Sequence, residues 1–169
     1  MASITLEAPQ SASLATLYIP AGGGPFADLG DHSAHIKVSA QTSGGGFLFT
    51  EIACDYKGGV PPHIHHKEDE TFYILEGRFV FMVGDQKIEV GPGDTVFGPR
   101  GVRHAWTCLS ENGGKLLIMF TPGDNFEAFA IGMAVNNFNP KAEMAGDGAA
   151  RFTEFAAQHG IEMLQGVSL

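Results

Sequence analysis

The feature that most constrains the fold is a series of short apolar segments separated by turn residues. The segments are rich in Val, Ile, Phe, Tyr and Thr, and glycine or proline bounds most of them. Short strands at this spacing predict an all-β sandwich or barrel rather than the alternating strands and helices of a parallel α/β sheet. The predicted strands cover residues 36–39, 47–54, 71–76, 78–83, 86–90, 94–97, 104–108 and 115–120.

The pattern changes after Pro122, where two stretches have apolar residues at helical spacing. We predict short C-terminal helices over 124–133 and 151–159, a loop over 139–150, and one further strand near 14–19. The length of 169 residues is normal for one domain. We therefore expect a single domain with three parts: an N-terminal arm over 1–35, a barrel core over 36–122 and a helical tail over 123–169.

The charge of the chain argues against two classes of partner. Lys and Arg number 10 and Asp and Glu number 19, which gives a net charge of −9. An acidic surface repels phosphate backbones and anionic lipids, so we expect neither a nucleic acid nor a membrane partner. Two cysteines, Cys54 and Cys108, are too few for a disulfide framework, and the N-terminus lacks a secretory signal. We expect a cytoplasmic protein whose thiols are reduced and buried.

The most informative stretch is residues 61–77, PPHIHHKEDETFYILEG. His63 and His65 are two positions apart, so in a strand both imidazoles point to one face, as a metal site requires. Glu70 has the same parity as the apolar Phe72, which aims its carboxylate into an apolar interior. Burying a lone carboxylate is costly, and a bound cation would remove that cost.

The other polar residues near this stretch and elsewhere are interpreted as solvated or structural residues. His66 has the opposite parity and is predicted to be a solvated loop residue. We interpret Glu68 and Asp69 as part of a solvated turn. Three further histidines have no partner pattern and are predicted to be structural or at the surface: His32, His35 and His159.

A second stretch, residues 91–108, contains His104, Trp106 and Cys108 at one parity. If that face is the inner one, His104 completes a set of three histidines and one glutamate. Imidazole with carboxylate suits Fe, Ni, Mn, Co, Cu or Zn rather than Ca or Mg. Cys108 is disfavoured as a ligand because alternate strand residues are about 6.6 Å apart. Phe72, Trp106 and Cys108 are candidates for a substrate pocket, although Phe72 and Trp106 could equally fill the barrel.

These two stretches resemble the paired motifs of the cupin superfamily. The first motif has an HxH pair, a Glu after four residues and a Gly after six more, which here are His63, His65, Glu70 and Gly77. The second motif here contains Gly93, Pro99, Gly101 and His104, with Cys108 where Asn is usual. The first motif usually opens with a Gly where this chain has Lys57, and Gly58 follows it. The helical tail resembles that of single-domain cupins grouped with quercetin dioxygenases.

The resemblance implies a double-stranded β-helix, or jelly-roll barrel. It implies that His63, His65, Glu70 and His104 bind one divalent transition metal. It also implies a metal-dependent oxygenase, similar to quercetin 2,3-dioxygenase, that uses dioxygen on a flavonol or related aromatic enol. In that reaction Glu70 would accept the proton of the substrate hydroxyl. A shortage of Arg and Lys near the inferred pocket disfavours sugar phosphates as substrates.

Other functions use the same residues. A metal-dependent lyase or hydrolase would need the same four ligands. A non-catalytic module, in which the metal is structural or the pocket holds a small ligand, predicts the same site, so only a turnover assay separates it from an enzyme. Cupins commonly pair through strands and an N-terminal arm, and residues 1–35 are long enough to cover a sheet edge, so we expect a homodimer.

Overall fold

The computed structural model describes residues 17–136 and 138–166. Strands alternate with tight turns up to residue 121, and a helical segment and one short strand follow. The strands are β1 (Phe26–Asp28), β2 (His32–Val38), β3 (Leu48–Cys54), β4 (Gly59–His65), β5 (Asp69–Glu76), β6 (Phe79–Val83), β7 (Gln86–Val90), β8 (Thr95–Gly98), β9 (His104–Cys108), β10 (Gly114–Thr121) and β11 (Ile161–Met163). The helices are α1 (Asp124–Asn136), α2 (Pro140–Ala145) and α3 (Ala149–Gln158).

The strands form two sheets that face each other. One sheet has the order β1-β2-β3-β10-β5-β8 and the other has the order β11-β4-β9-β6-β7. Each recorded strand pair is antiparallel, and the chain crosses repeatedly from one sheet to the other. This architecture is a jelly roll with short C-terminal helices, which confirms the predicted fold class.

Alternation along the strands builds the interior of the barrel. In β3 and β10 the buried positions alternate with more exposed ones, as expected for strands with one face inward. Ile52 lies opposite Leu116, and Leu116 lies opposite Ile74, so apolar side chains form rows across three strands. A tight hairpin at Gly84 joins β6 to β7: Val83 pairs with Gln86, and Gly84 has a positive φ of 58°.

The C-terminal segment covers the barrel on one side. The Phe126 ring of α1 stacks on Phe120 of β10 at 3.6 Å between centroids. Further along, α3 leads through Gly160 into β11, which pairs with β4 so that Ile161 lies opposite His65. These contacts bring the helices against the end of β4 that carries the histidine pair. None of the helices within the described ranges is long and apolar enough to cross a membrane.

The predicted loop over 139–150 is wrong in part, because it contains α2. Asn139 accepts a hydrogen bond from the backbone N–H of Ala142, and Pro140 occupies the start of the helix. Both residues favour helix initiation, but a single turn lacks the periodicity that reveals longer helices.

The N-terminal predictions are tested only in part. The strand expected near residues 14–19 lies partly outside the described residues, and its described part, residues 17–19, is not in a strand. Strands β1 and β2 place residues 26–38 within the first sheet. The division into arm, core and tail stays a prediction.

Candidate metal centre

Three strands bring the four predicted residues together inside the barrel. His63 and His65 end β4, Glu70 lies near the start of β5, and His104 begins β9. His63 lies directly opposite His104 in the β4–β9 pair, and their ring centroids are 4.4 Å apart. All four side chains are buried, with His65 and His104 each only 1% exposed.

The donor atoms of this cluster converge on one point. One ligand atom from each residue lies within 4.8 Å of the others. Nε2 of His65 is 3.7 Å and Nε2 of His63 is 3.9 Å from Oε2 of Glu70, and Nε2 of His104 makes a still closer contact with the same oxygen. Two ligands on one transition metal are at most about 4.2 Å apart, so these donors already stand close to a coordinating arrangement.

Hydrogen bonds on the outer side of each imidazole fix its orientation. Nδ1 of His63 is 2.8 Å from the carbonyl oxygen of Pro61, and Nδ1 of His104 is 2.9 Å from that of Val102. A carbonyl oxygen only accepts, so each Nδ1 carries the proton and donates it. The unprotonated Nε2 of His63 then faces inward, which is the form that binds a metal, whereas Nε2 of His104 donates to the Glu70 carboxylate and must release that proton before it can bind one.

His65 is oriented by a carboxylate instead. Its Nδ1 donates to Oε2 of Glu68 at 3.2 Å, and Asn125 of α1 donates to the other oxygen of Glu68. The prediction that Glu68 is a solvated turn residue is wrong: its side chain is fully buried. Asn125, which covers it, is more than fifty residues further along the chain. The available signal was parity, since Glu68 precedes the inward Glu70 by two positions.

The electrostatics favour the metal-binding forms of Glu70 and His63 and the protonated form of His104. Burial raises the pKa of Glu70, but the charges of His65 and His104 and the hydrogen bond from His104 lower the pKa to about 2. Burial and the neighbouring His104 and His65 hold the pKa of His63 well below its usual value. Burial also lowers the pKa of His104, but Glu70 outweighs it, so that pKa is raised. An ionised carboxylate beside a neutral imidazole is a ready ligand pair.

The residues present fit a transition metal. Three imidazole nitrogens and one carboxylate oxygen form a donor set suited to Fe, Ni, Mn, Co, Cu or Zn. The set is buried, and each imidazole has an orienting hydrogen-bond partner. This buried His/Glu cluster can therefore hold one metal ion.

The cluster lies in the wall of an apolar cavity of about 240 Å³. The cavity extends along the inner face of the first sheet and is covered by α1. Besides the metal cluster, two polar residues contribute to the described part of its wall, Thr50 and His32. A volume close to the roughly 300 Å³ at which small-molecule pockets begin suits one small-molecule ligand.

The predicted pocket residues have different positions. Trp106 lines the cavity, whereas the described wall includes neither Phe72 nor Cys108. Phe72 packs against Phe81 at 4.9 Å between ring centroids, and Cys108 is fully buried and is a free thiol. The structure therefore does not place Phe72 and Cys108 in the cavity wall. Parity identifies the inward face of a strand, but it does not show which inward side chains are covered by their neighbours.

The remaining histidines lie in different environments. His66 is exposed and pairs with Glu162 at 3.0 Å, which confirms its predicted solvated position. His159 packs against Phe155, and His35 packs against Phe26, as structural residues do. His32, expected to be structural or at the surface, is buried in the cavity wall. Sequence reasoning thus missed Glu68, Asn125 and His32 as residues near the site.

Comparison with known proteins agrees with this geometry. Residues 54–120 match the Cupin domain family. Quercetin 2,3-dioxygenase from Bacillus subtilis is 27% identical over 111 residues, which are 66% of this chain and 32% of that enzyme. The chain therefore spans less than two thirds of that relative's length.

Solved structures share the fold at low sequence identity. KdgF from Halomonas sp. superposes with a TM-score of 0.60 at 18% identity, covering 67% of this chain and 99% of that chain. An RmlC-like cupin from Shewanella frigidimarina has a TM-score of 0.54 at 20% identity, covering 64% and 93%. The matched residues 54–120 include the strands that carry the cluster, so the candidate site lies within the part of the chain that is similar to the Cupin domain family, and the barrel shares its fold with the RmlC-like cupin.

Proposed function

We propose that this chain is a metal-dependent oxygenase that acts on a flavonol or a related aromatic enol, with dioxygen as co-substrate. The observation that carries the proposal is the cluster of three imidazoles and one carboxylate in the wall of a buried, largely apolar cavity. An apolar cavity with a few convergent polar groups favours a flat apolar ligand held by one polar end. The similarity to the Bacillus subtilis quercetin 2,3-dioxygenase supports the same class of reaction.

In this proposal four residues hold the metal: His63, His65 and His104 through Nε2 and Glu70 through a carboxylate oxygen. A bound divalent transition metal supplies a Lewis acid and a template for substrate and dioxygen. Glu70 accepts the proton of the substrate hydroxyl at a carboxylate oxygen. Its low pKa keeps that oxygen ionised at neutral pH but makes it a weak base, so the transfer would require a bound metal to lower the pKa of the substrate hydroxyl.

The cavity contributes aromatic surfaces against which a substrate can pack. The stacked rings of Phe120 and Phe126 line the cavity next to the cluster. Trp106, which lies in the other sheet, also lines the cavity. Flat aromatic rings pack well against such side chains.

The test begins with metal content, measured by mass spectrometry on protein purified without chelators. We expect about one equivalent of Fe, Ni, Mn, Co or Cu, and oxygen uptake when quercetin is added. Glu70→Gln should abolish uptake, whereas the matched exposed variant His66→Ala should retain it. Metal at one equivalent with no uptake for Fe, Ni, Mn or Co would instead support a non-catalytic binding module.

We further propose that the protein is a homodimer and acts in the cytoplasm. The dimer rests on the resemblance to cupins that pair through their sheets. Analytical sedimentation would contradict it by returning the monomer mass of 17.9 kDa.

A further inference from the structure

The cavity wall contains a second polar feature besides the metal cluster. His32, the first residue of β2, is buried and lines the cavity. Thr50, the other polar residue of the described wall outside the cluster, already donates its hydroxyl to the carbonyl oxygen of Ile118 at 3.2 Å. His32 is therefore the polar group best placed to contact a ligand away from the cluster.

Asp31 fixes the orientation of the His32 ring. Nδ1 of His32 lies 2.7 Å from Oδ1 of Asp31, and the carboxylate also accepts from the backbone N–H of Gly59 at 3.3 Å. Lys141 of α2 lies 3.6 Å from the same carboxylate. Burial raises the pKa of Asp31, but His32 and Lys141 outweigh it, so the net shift is downward and the group is ionised. An ionised carboxylate accepts, so Nδ1 donates.

The opposite edge of the ring, which carries Nε2, has no hydrogen-bond partner among residues 17–136 and 138–166. This atom is not among the fully enclosed polar atoms that lack a partner, so it retains accessible surface and is free to pair with a ligand group. The ring also lines a polar cleft of about 370 Å³ that contains Asp28, Ser33 and Lys115, so it separates that cleft from the cavity.

His32 lies well away from the metal cluster. Its ring meets Trp106 edge-on at 5.7 Å between centroids. Trp106 is two residues beyond His104 on the same face of β9, a step of about 6.6 Å along a strand. A ligand with one end at the cluster therefore reaches His32 only if it spans Trp106, as two or three linked aromatic rings do.

We propose that His32, oriented by Asp31, accepts a hydrogen bond from a hydroxyl group on the end of the substrate distant from the metal cluster. The site then prefers a polyhydroxylated aromatic molecule over one that carries only the metal-binding hydroxyl. This inference rests on the proposed function, since it assumes that an aromatic enol binds at the cluster.

The test compares two flavonols that share the metal-binding end. Quercetin carries further hydroxyl groups on its distant rings, and 3-hydroxyflavone carries none. Affinities for the metal-loaded protein are measured without oxygen, by titration calorimetry or fluorescence. We expect His32→Leu to weaken quercetin binding about fivefold, the worth of one neutral hydrogen bond, and to leave 3-hydroxyflavone binding unchanged.

Two further variants separate recognition from folding. His32→Gln, whose side-chain amide retains a hydrogen-bonding group, should recover part of the quercetin affinity. Asp31→Asn should weaken quercetin binding less than His32→Leu does. Equal loss for both flavonols, or no loss for quercetin, would overturn the inference while the proposed function stands. If neither flavonol binds the metal-loaded wild-type protein, the proposed function fails and the inference fails with it.

Discussion

The interior of the barrel contains two regions that are built from the same alternating strands but are filled differently. In the packed region, Phe72, Phe79 and Phe81 are at most 1% exposed and their rings contact one another. In the other region, inward residues such as Thr50 and Trp106 face the cavity. Phe120 and Phe126 stack beside that cavity rather than filling it.

The two regions contribute to different properties of the protein, stability in the packed region and ligand binding in the cavity region. Filled positions contribute burial and dispersion, and a change there leaves a void. Cavity positions lack such neighbours on one side, so they contribute less to stability and more to the shape offered to a ligand. The metal cluster lies at the boundary, since His104 contacts Phe72 at 6.3 Å between ring centroids while His65 lies 5.3 Å from Phe126.

The largest effect is expected from an aromatic deletion in the packed region. Phe72→Ala should lower the free energy of unfolding by about 3–5 kcal/mol, because its neighbours cannot collapse into the void. The matched change Phe126→Ala, beside the existing cavity, should cost only about 1–2 kcal/mol. Urea unfolding followed by circular dichroism measures both. Equal losses would mean that the two regions do not differ in packing.

At the boundary, Glu70→Gln should lower metal affinity by more than about a hundredfold. The amide keeps the size of the side chain but removes the only anionic donor of the cluster, a larger change than the loss of an orienting partner. Competition against a chelator measures the affinity. Glu76→Gln, an exposed carboxylate on the same strand, is the control and should bind metal as the wild type does.

A smaller loss of metal affinity, about 10–100-fold, is expected for Glu68→Gln. Glu68 does not belong to the donor set, but it orients His65 and is held by Asn125 of α1. Asn125→Ala should act in the same direction with a smaller effect, since Glu68 remains in place. Unchanged affinity in Glu68→Gln would show that the helical layer does not influence the cluster.

The smallest effect is expected for Cys108→Ala, at a position where cupins usually have Asn. Burial raises the pKa of Cys54, and the adjacent Cys108 raises it further, while Cys108 itself is fully buried, so both thiols should resist thiol reagents until the protein unfolds. The variant should lose about 1 kcal/mol of stability and keep its full metal content. Loss of metal would instead identify Cys108 as a ligand.

Local sequence patterns were sufficient to predict much of the fold of this protein. Alternation and turn residues predicted the β architecture, and parity placed His63 and His65 on one strand face and Glu70 on an inward face. Both follow from a period of two along strands, which depends only on neighbouring residues. The resemblance to cupins added the jelly-roll topology, which no single strand encodes.

Local patterns were insufficient wherever a distant segment decides the environment. Glu68 was interpreted as a solvated turn residue because nothing beside it shows that α1 covers it. His32 had no partner pattern, yet β2 places it against Trp106, more than seventy residues later in the chain. The same gap explains why Phe72 and Cys108 were assigned to the pocket.

The sequence by itself therefore determined most of the strands and their inward faces, because these depend on local spacing, and its resemblance to the cupin motifs supplied the four candidate donors. Only the tertiary structure decided which inward positions are filled, which border the cavity, and which residues orient the donors. The physical reason is that burial and hydrogen-bond partners are set by the elements packed from elsewhere, and in this chain α1 and β2 supply them across long sequence separations.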